Sequence, residues 1–121
     1  DATAINLQMQ TSKGKAAKKL KKCRQFFVTF NIAKNVTAQA GNKTVYVQIK
    51  TPSGSTLAVA GTTAYENREI QYSAKKTIEY TGQETQVGIY CNVAEALMAG
   101  SYRVSIFCDG NLIGSRTFTL N

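Results

Sequence analysis

Apolar side chains recur at every second position over most of this chain. Residues 4–10 set Ile5, Leu7 and Met9 against Asn6, Gln8 and Gln10, the period of a strand with one buried face. The pattern is clearest at 26–33, where Phe26, Val28, Phe30 and Ile32 alternate with Phe27, Thr29, Asn31 and Ala33. It returns at 44–51, with Val45, Val47 and Ile49 inward and Tyr46, Gln48 and Lys50 outward. Pro52-Ser53-Gly54-Ser55 then predicts a reversal, Pro presetting one dihedral and Gly accepting a positive one. A short strand is expected at 57–59 and a loop or bent edge at 61–68. Residues 69–72 and 76–80 read as one strand interrupted by a bulge at 73–75. Thr81-Gly82-Gln83 turns the chain into 85–92, where Val87, Ile89 and Cys91 share a face. Residues 94–98 fit one helical turn before Gly100. The last pair, 101–108 and 112–120, is joined at Asp109-Gly110-Asn111, and Asp-Gly between alternating strands is a strong hairpin signal.

Seven or eight strands with turn signals roughly every 8 to 12 residues, and no long helical period, predict an all-β, antiparallel immunoglobulin-like β-sandwich. A length of 121 residues fits one domain, residues 1–121. Ala40-Gly41 ahead of Val45, Val47 and Ile49 repeats locally as Ala99-Gly100 ahead of Tyr102, Val104 and Ile106, one turn problem solved twice. The phrase Gly100-Ser101-Tyr102-Arg103-Val104 resembles the G-x-Y-x-V of an immunoglobulin-like strand, whose Tyr buries its ring and hydrogen-bonds the preceding corner.

Charge changes the picture at one place. Seven of the fifteen basic residues fall in residues 13–24 with no acid among them: Lys13, Lys15, Lys18, Lys19, Lys21, Lys22 and Arg24. The other eight face seven acids, so nearly all of the net +8 sits in this basic inter-strand segment. Its simplest reading is a solvated, mobile connection between the first two strands. The alternative is a polyanion contact, with nucleic acid or an anionic membrane surface as partner. As a helix, Ala16, Ala17 and Leu20 would make only a meagre apolar strip. No aromatic interleaving supports a single-strand stacking platform.

Candidate chemistry narrows the function further. The chain has no histidine, so a Ser-His-Asp or Cys-His arrangement is excluded within it. Glu66 and Glu69 are the only acids close in sequence, and solvated charges on a loop or edge strand account for them. No Gly-rich phosphate loop or calcium-type run of acids occurs. No catalytic residue, cofactor, metal site or small-molecule substrate is expected. Cys23, Cys91 and Cys108 make an odd count, better suited to reduced thiols than to a disulfide framework, and the alternation turns Cys91 and Cys108 inward. Asn35-Val36-Thr37 and Asn42-Lys43-Thr44 fit the glycosylation sequon, a triplet common by chance. Phe27, Tyr46 and Tyr90 fall opposite the core sets and could form an exposed aromatic surface for a protein partner or, less simply, a sugar. No apolar run approaches the roughly 20 residues of a membrane span. The chain opens on Asp1, which suits a processed or excised fragment.

The motifs together carry a closer resemblance. F-x-V-T-F-x-I at 26–32, A-G-N-K-T-V-Y-V-Q-I at 40–49, I-Q-Y-S at 70–73 and G-S-Y-R-V-S-I-F-C-D-G-N-L-I-G at 100–114 follow a short first strand and a lysine-containing tract. This set is similar to the C-terminal immunoglobulin-like sandwich of uncharacterised Gram-negative bacterial coiled-coil proteins, often membrane-anchored. The resemblance implies a terminal domain on a stalk and a periplasmic or cell-envelope setting. Together with the sandwich pattern and the missing catalytic chemistry, the expected role is a non-enzymatic structural or protein-interaction module whose partner is another protein.

Overall fold

The computed structural model describes residues 1–35 and 40–121. Nine strands run through them: β1 (Ala2–Gln10), β2 (Gln25–Ile32), β3 (Gly41–Lys50), β4 (Gly61–Tyr65), β5 (Arg68–Tyr72), β6 (Ala74–Tyr80), β7 (Thr85–Asn92), β8 (Gly100–Cys108) and β9 (Asn111–Leu120). Seven of them form the expected immunoglobulin-like sandwich, a three-stranded sheet in the order β1-β2-β7 facing a four-stranded sheet in the order β6-β3-β8-β9. All pairings are antiparallel. The remaining two, β4 and β5, pair with each other. The expected seven or eight strands are thus the seven of the sandwich plus a hairpin.

The period-two pattern produces the interior. Phe26, Val28 and Phe30 of β2, Val45, Val47 and Ile49 of β3, Val87, Ile89 and Cys91 of β7, and Tyr102, Val104 and Ile106 of β8 are all buried in one cluster. Each fully buried large apolar side chain adds about 1.5–3 kcal/mol. Alternation weakens at the first strand. A bulge between Thr3 and Asn6, with Ala4 at φ 53°, resets its register. Gln10 is buried at its far end and satisfied there: its Oε1 accepts from Gln25 Nε2 at 2.6 Å and its Nε2 donates to Gln8 Oε1 at 2.6 Å. The turns follow their sequences. Asp109 and Gly110 take φ 54° and 75°, the two positive values of a tight hairpin turn, and Gly41 and Gly100 open β3 and β8 at nearly the same φ, 142° and 144°. Of the sequons, Asn35-Val36-Thr37 runs into residues outside the described ones, and Asn42-Lys43-Thr44 lies within β3.

Four local expectations are corrected. Residues 61–68 are not a loop but β4 and its turn into β5, with Glu66 at φ 56°. The segments 69–72 and 76–80 are not one bulged strand but belong to different layers, parted at Ser73. There the Ser73 N–H donates to Val47 O at 2.7 Å, and its hydroxyl accepts from Ile49 N–H at 3.0 Å. Residues 57–59 form no strand: Leu57 donates to Ile49 O at 2.8 Å and plugs the core, while Ala58 at φ 47° turns the chain away. Residues 94–98 form no helical turn; the segment is held at its ends by Val93 N–H on Arg24 O at 2.9 Å and by the Tyr102 hydroxyl on Met98 O at 2.6 Å. The β4–β5 hairpin lies as a third layer on the outer face of the four-stranded sheet. Tyr72 packs on Tyr46 with ring centroids 4.9 Å apart, Tyr65 meets Phe107 at 5.0 Å, and Gln48 Nε2 donates to Gln71 O at 2.9 Å.

The two sheets also meet along both seams. At one, β1 borders β9, and Arg116 Nη1 donates to Ile5 O at 2.8 Å. Gly114 permits that approach, since a Cβ there would lie 2.9 Å from the Ala2 Cβ. At the other, β6 borders β7, and Lys76 Nζ donates to Gly88 O at 2.9 Å.

All three cysteines are free, Cys23 and Cys91 buried and Cys108 half-buried against the core. Burial pushes the Cys91 thiol up to about 11, with Cys23 and Glu95 adding to the rise, and burial also raises Cys23 and Cys108. A thiol that ionises later in the folded than in the unfolded chain leaves stability untouched below its unfolded pKa and lowers it as pH climbs toward the folded one. Denaturant melts are therefore expected to show stability falling between about pH 9 and about 11, less steeply in Cys91→Val; equal slopes would show that Cys91 does not titrate late. Tyr102→Phe is expected to cost about 1–3 kcal/mol in the same assay, because it strips Met98 O of its donor. A loss below about 0.5 kcal/mol, the scale of an ordinary surface change, would show that the corner does not hold the loop.

Candidate functional site: a cationic strap at one end of the sandwich

Residues 13–24 connect β1 to β2 with their charged side chains solvated, as the simplest sequence reading expects, and their backbone is hydrogen-bonded at several points. Thr11 N–H donates to Lys15 O at 2.7 Å and Gly14 N–H to Thr11 O at 2.9 Å, closing a turn in which Gly14 sits at φ 81°. Ala17 N–H donates to Met9 O at 2.8 Å, and Leu20 N–H reaches Asn121 O at 3.2 Å. A single 3-10 turn at Leu20–Lys22, the only helical piece among the described residues, seats Leu20 in the core, and Cys23 follows it inward. Arg24 closes the strap through its N–H on Gln10 O at 2.8 Å and its carbonyl under Val93 N–H. The Arg24 guanidinium folds back on the carbonyls of Lys21 and Cys23, 2.9 Å from each. Two buried side chains three residues apart thus fasten a segment whose composition suggests only solvent.

The anchoring leaves the charges outside. Lys13, Lys15, Lys18, Lys19, Lys21, Lys22 and Arg24 are all exposed. Among the described residues the one salt bridge joins Lys43 to Asp109 at 2.6 Å, at the opposite end of the sandwich, where it raises the Lys43 pKa through that hydrogen bond. None of the strap cations forms a salt bridge among the described residues, so an anionic partner that displaces their counterions gains free energy. Glu95, on the β7–β8 connection, is the acid beside the strap, and its Oε1 accepts from Ala58 N–H at 3.3 Å. A groove of about 510 Å³ separates strap from connection, lined by Leu20, Lys21, Cys23, Arg24 and residues 93–97.

The three aromatic candidates do not converge. Phe27 and Tyr90 stack across β2 and β7 on the outer face of the three-stranded sheet, with centroids 4.4 Å apart and planes at 22°. Phe27 leans over Gly88, where a Cβ would come within 2.8 Å of its ring, and Tyr90 stays 58% exposed. Tyr46 lies on the far side of the molecule, half-buried under Tyr72, so a shared surface of all three is ruled out. The acids Glu66 and Glu69 are exposed on the hairpin. What the sequence reading missed is the β7–β8 connection: Val93-Ala94-Glu95-Ala96-Leu97-Met98-Ala99 is apolar at every position but one, yet Ala94, Ala96, Met98 and Ala99 face solvent. The signal was present in its composition, since an apolar loop is unusual.

Several solved structures are similar to the chain, among them an enzyme and a fimbrial subunit. A β-glucosidase from Kluyveromyces marxianus aligns over 98% of this chain at 12% identity with a TM-score of 0.53, and the chain spans 15% of that enzyme's length. This likeness concerns the fold alone. Self-complemented MyfA, the major subunit of Myf fimbriae from Yersinia enterocolitica, aligns over 97% of this chain and 96% of its own at 10% identity, with a TM-score of 0.41. No curated protein matches the chain. A family model described as a domain of unknown function, DUF8428, matches residues 2–121, and the chain belongs to that family.

Proposed function

We propose that this domain is a non-enzymatic interaction module, the terminal part of a larger cell-envelope protein, and that it meets an anionic partner with its strap. One observation carries this reading: seven exposed cations without an acidic partner among the described residues, on a backbone held to β1, β2 and the β7–β8 connection. A pre-ordered cationic surface loses little conformational entropy on binding, unlike a flexible lysine tail. Backbone addition at a sheet edge is less well supported, because the sandwich edges border one another along both seams. The rigid body then serves as scaffold and the end loops as the working surface.

Heparin retention and duplex DNA binding across a salt series test the reading. Lys18, Lys19, Lys21 and Lys22 changed together to Gln are expected to abolish retention on heparin. On DNA the log–log salt slope should flatten by roughly 0.9 for each lysine that touches phosphate. All four side chains are exposed, so the thermal melt should stay within about 0.5 kcal/mol of the parent. Unchanged binding by the quadruple variant would refute the proposal.

A further inference from the structure

The strap shares its end of the sandwich with the apolar β7–β8 connection, and the two abut. Arg24 O accepts from Val93 N–H at 2.9 Å, and a second groove, about 420 Å³, is lined by Lys19, Leu20 and Lys21 on one side and Leu97 and Ala99 on the other. Met98 is 55% exposed at this tip, and Val59 of the neighbouring β3–β4 connection is 49% exposed. The Tyr102 hydroxyl holds the tip by the Met98 carbonyl, and the Met98 side chain stays more than half exposed.

From this juxtaposition we infer that the strap end docks on an anionic lipid surface, the lysines meeting headgroup phosphates while Met98 enters the interfacial region. The inference rests on the reading of the strap as an anion-binding surface and names its partner. Soluble polyanions would satisfy the cations but leave the apolar tip in water. An acidic protein would satisfy both, yet six of the seven strap cations are lysine, a residue depleted from protein interfaces, where arginine is enriched. Lysine suits a headgroup layer, where each one near an anionic surface multiplies partition roughly fivefold. Neither signal suffices alone: a single weak anchor binds marginally, and two together bind stably.

The chain lacks tryptophan, so Met98→Trp supplies a single reporter at the tip without touching the backbone contact to Tyr102. Its emission is expected to shift to the blue on phosphatidylglycerol-containing vesicles and to stay unchanged on pure phosphatidylcholine. In co-sedimentation, Met98→Glu should lower partition onto the anionic vesicles roughly tenfold or more while heparin retention stays at the parent level. Heparin retention with no blue shift, or with vesicle binding indifferent to Met98→Glu, would overturn the lipid assignment and leave the anion-binding reading standing; such a tip faces a protein instead. Loss of both heparin and vesicle binding in the parent chain would sink the two readings together.

Discussion

Tyr102 ties the interior of this sandwich to the end that carries its charge. Its ring is fully buried, tilted against Phe26 with centroids 6.2 Å apart. A phenol in that position must find an acceptor, because an unpaired buried hydroxyl costs more than the bond itself returns. Burial raises its pKa, so it stays a neutral donor, and the acceptor it finds is the Met98 carbonyl at 2.6 Å. That single bond places the β7–β8 connection. The connection in turn meets the strap through Val93 and Arg24. The path from core packing to charged surface is therefore short and made of named atoms.

The layers divide the work. The apolar interior between the two sheets supplies cohesion, and buried polar side chains are few. The Thr56 hydroxyl is the one buried side-chain group left unpaired among the described residues; Gln10, Gln48, Ser73 and Ser105 are hydrogen-bonded. Ser73 shows how: buried between layers, it spends its N–H on Val47 and its hydroxyl on Ile49, so the chain can leave the hairpin and enter the four-stranded sheet without orphaned groups. The hairpin covers one outer face with Tyr65 and Tyr72. The opposite outer face is left to uncharged side chains: Asn6, Gln8, Phe27, Thr29 and Tyr90 lie across three adjacent strands in matched register. The face under the hairpin mixes signs, with Lys50, Lys75, Arg103 and Glu79 on the sheet and Glu66, Arg68 and Glu69 on the hairpin. The acid-free run of cations at one end is therefore the main electrostatic feature among the described residues.

Fold class and core were legible because they depend on side-chain period alone. Phe26 to Phe30, Val45 to Ile49 and Val87 to Cys91 alternate cleanly, and each alternation produced a strand with the anticipated face inward. The Tyr102 corner was legible from its local phrase, and the Asp109-Gly110 turn from its chemistry. Pairing between distant segments was not. Nothing in residues 61–72 says that they fold back on Tyr46 and Phe107, since the tyrosines that do this also suit an exposed edge. The strap misled through its lysines: Leu20, with Ala16 and Ala17, read as a meagre strip until the backbone bonds that Gln10, Val93 and Asn121 make with the strap are known. Seven cations could be counted from sequence, but the apolar connection that lines grooves with them through Leu97 lies more than seventy positions beyond Arg24 along the chain and meets them only in three dimensions.

The two seams have a consequence for how such a domain evolves. Arg116 and Lys76 lay their charged heads over main-chain oxygens of β1 and β7, where a foreign β-segment would otherwise dock. Main-chain docking is indifferent to side-chain identity and so invites self-association. A body guarded in this way can exchange the residues of its terminal loops freely, because drift there alters whom it recognises without exposing a template for fibrils.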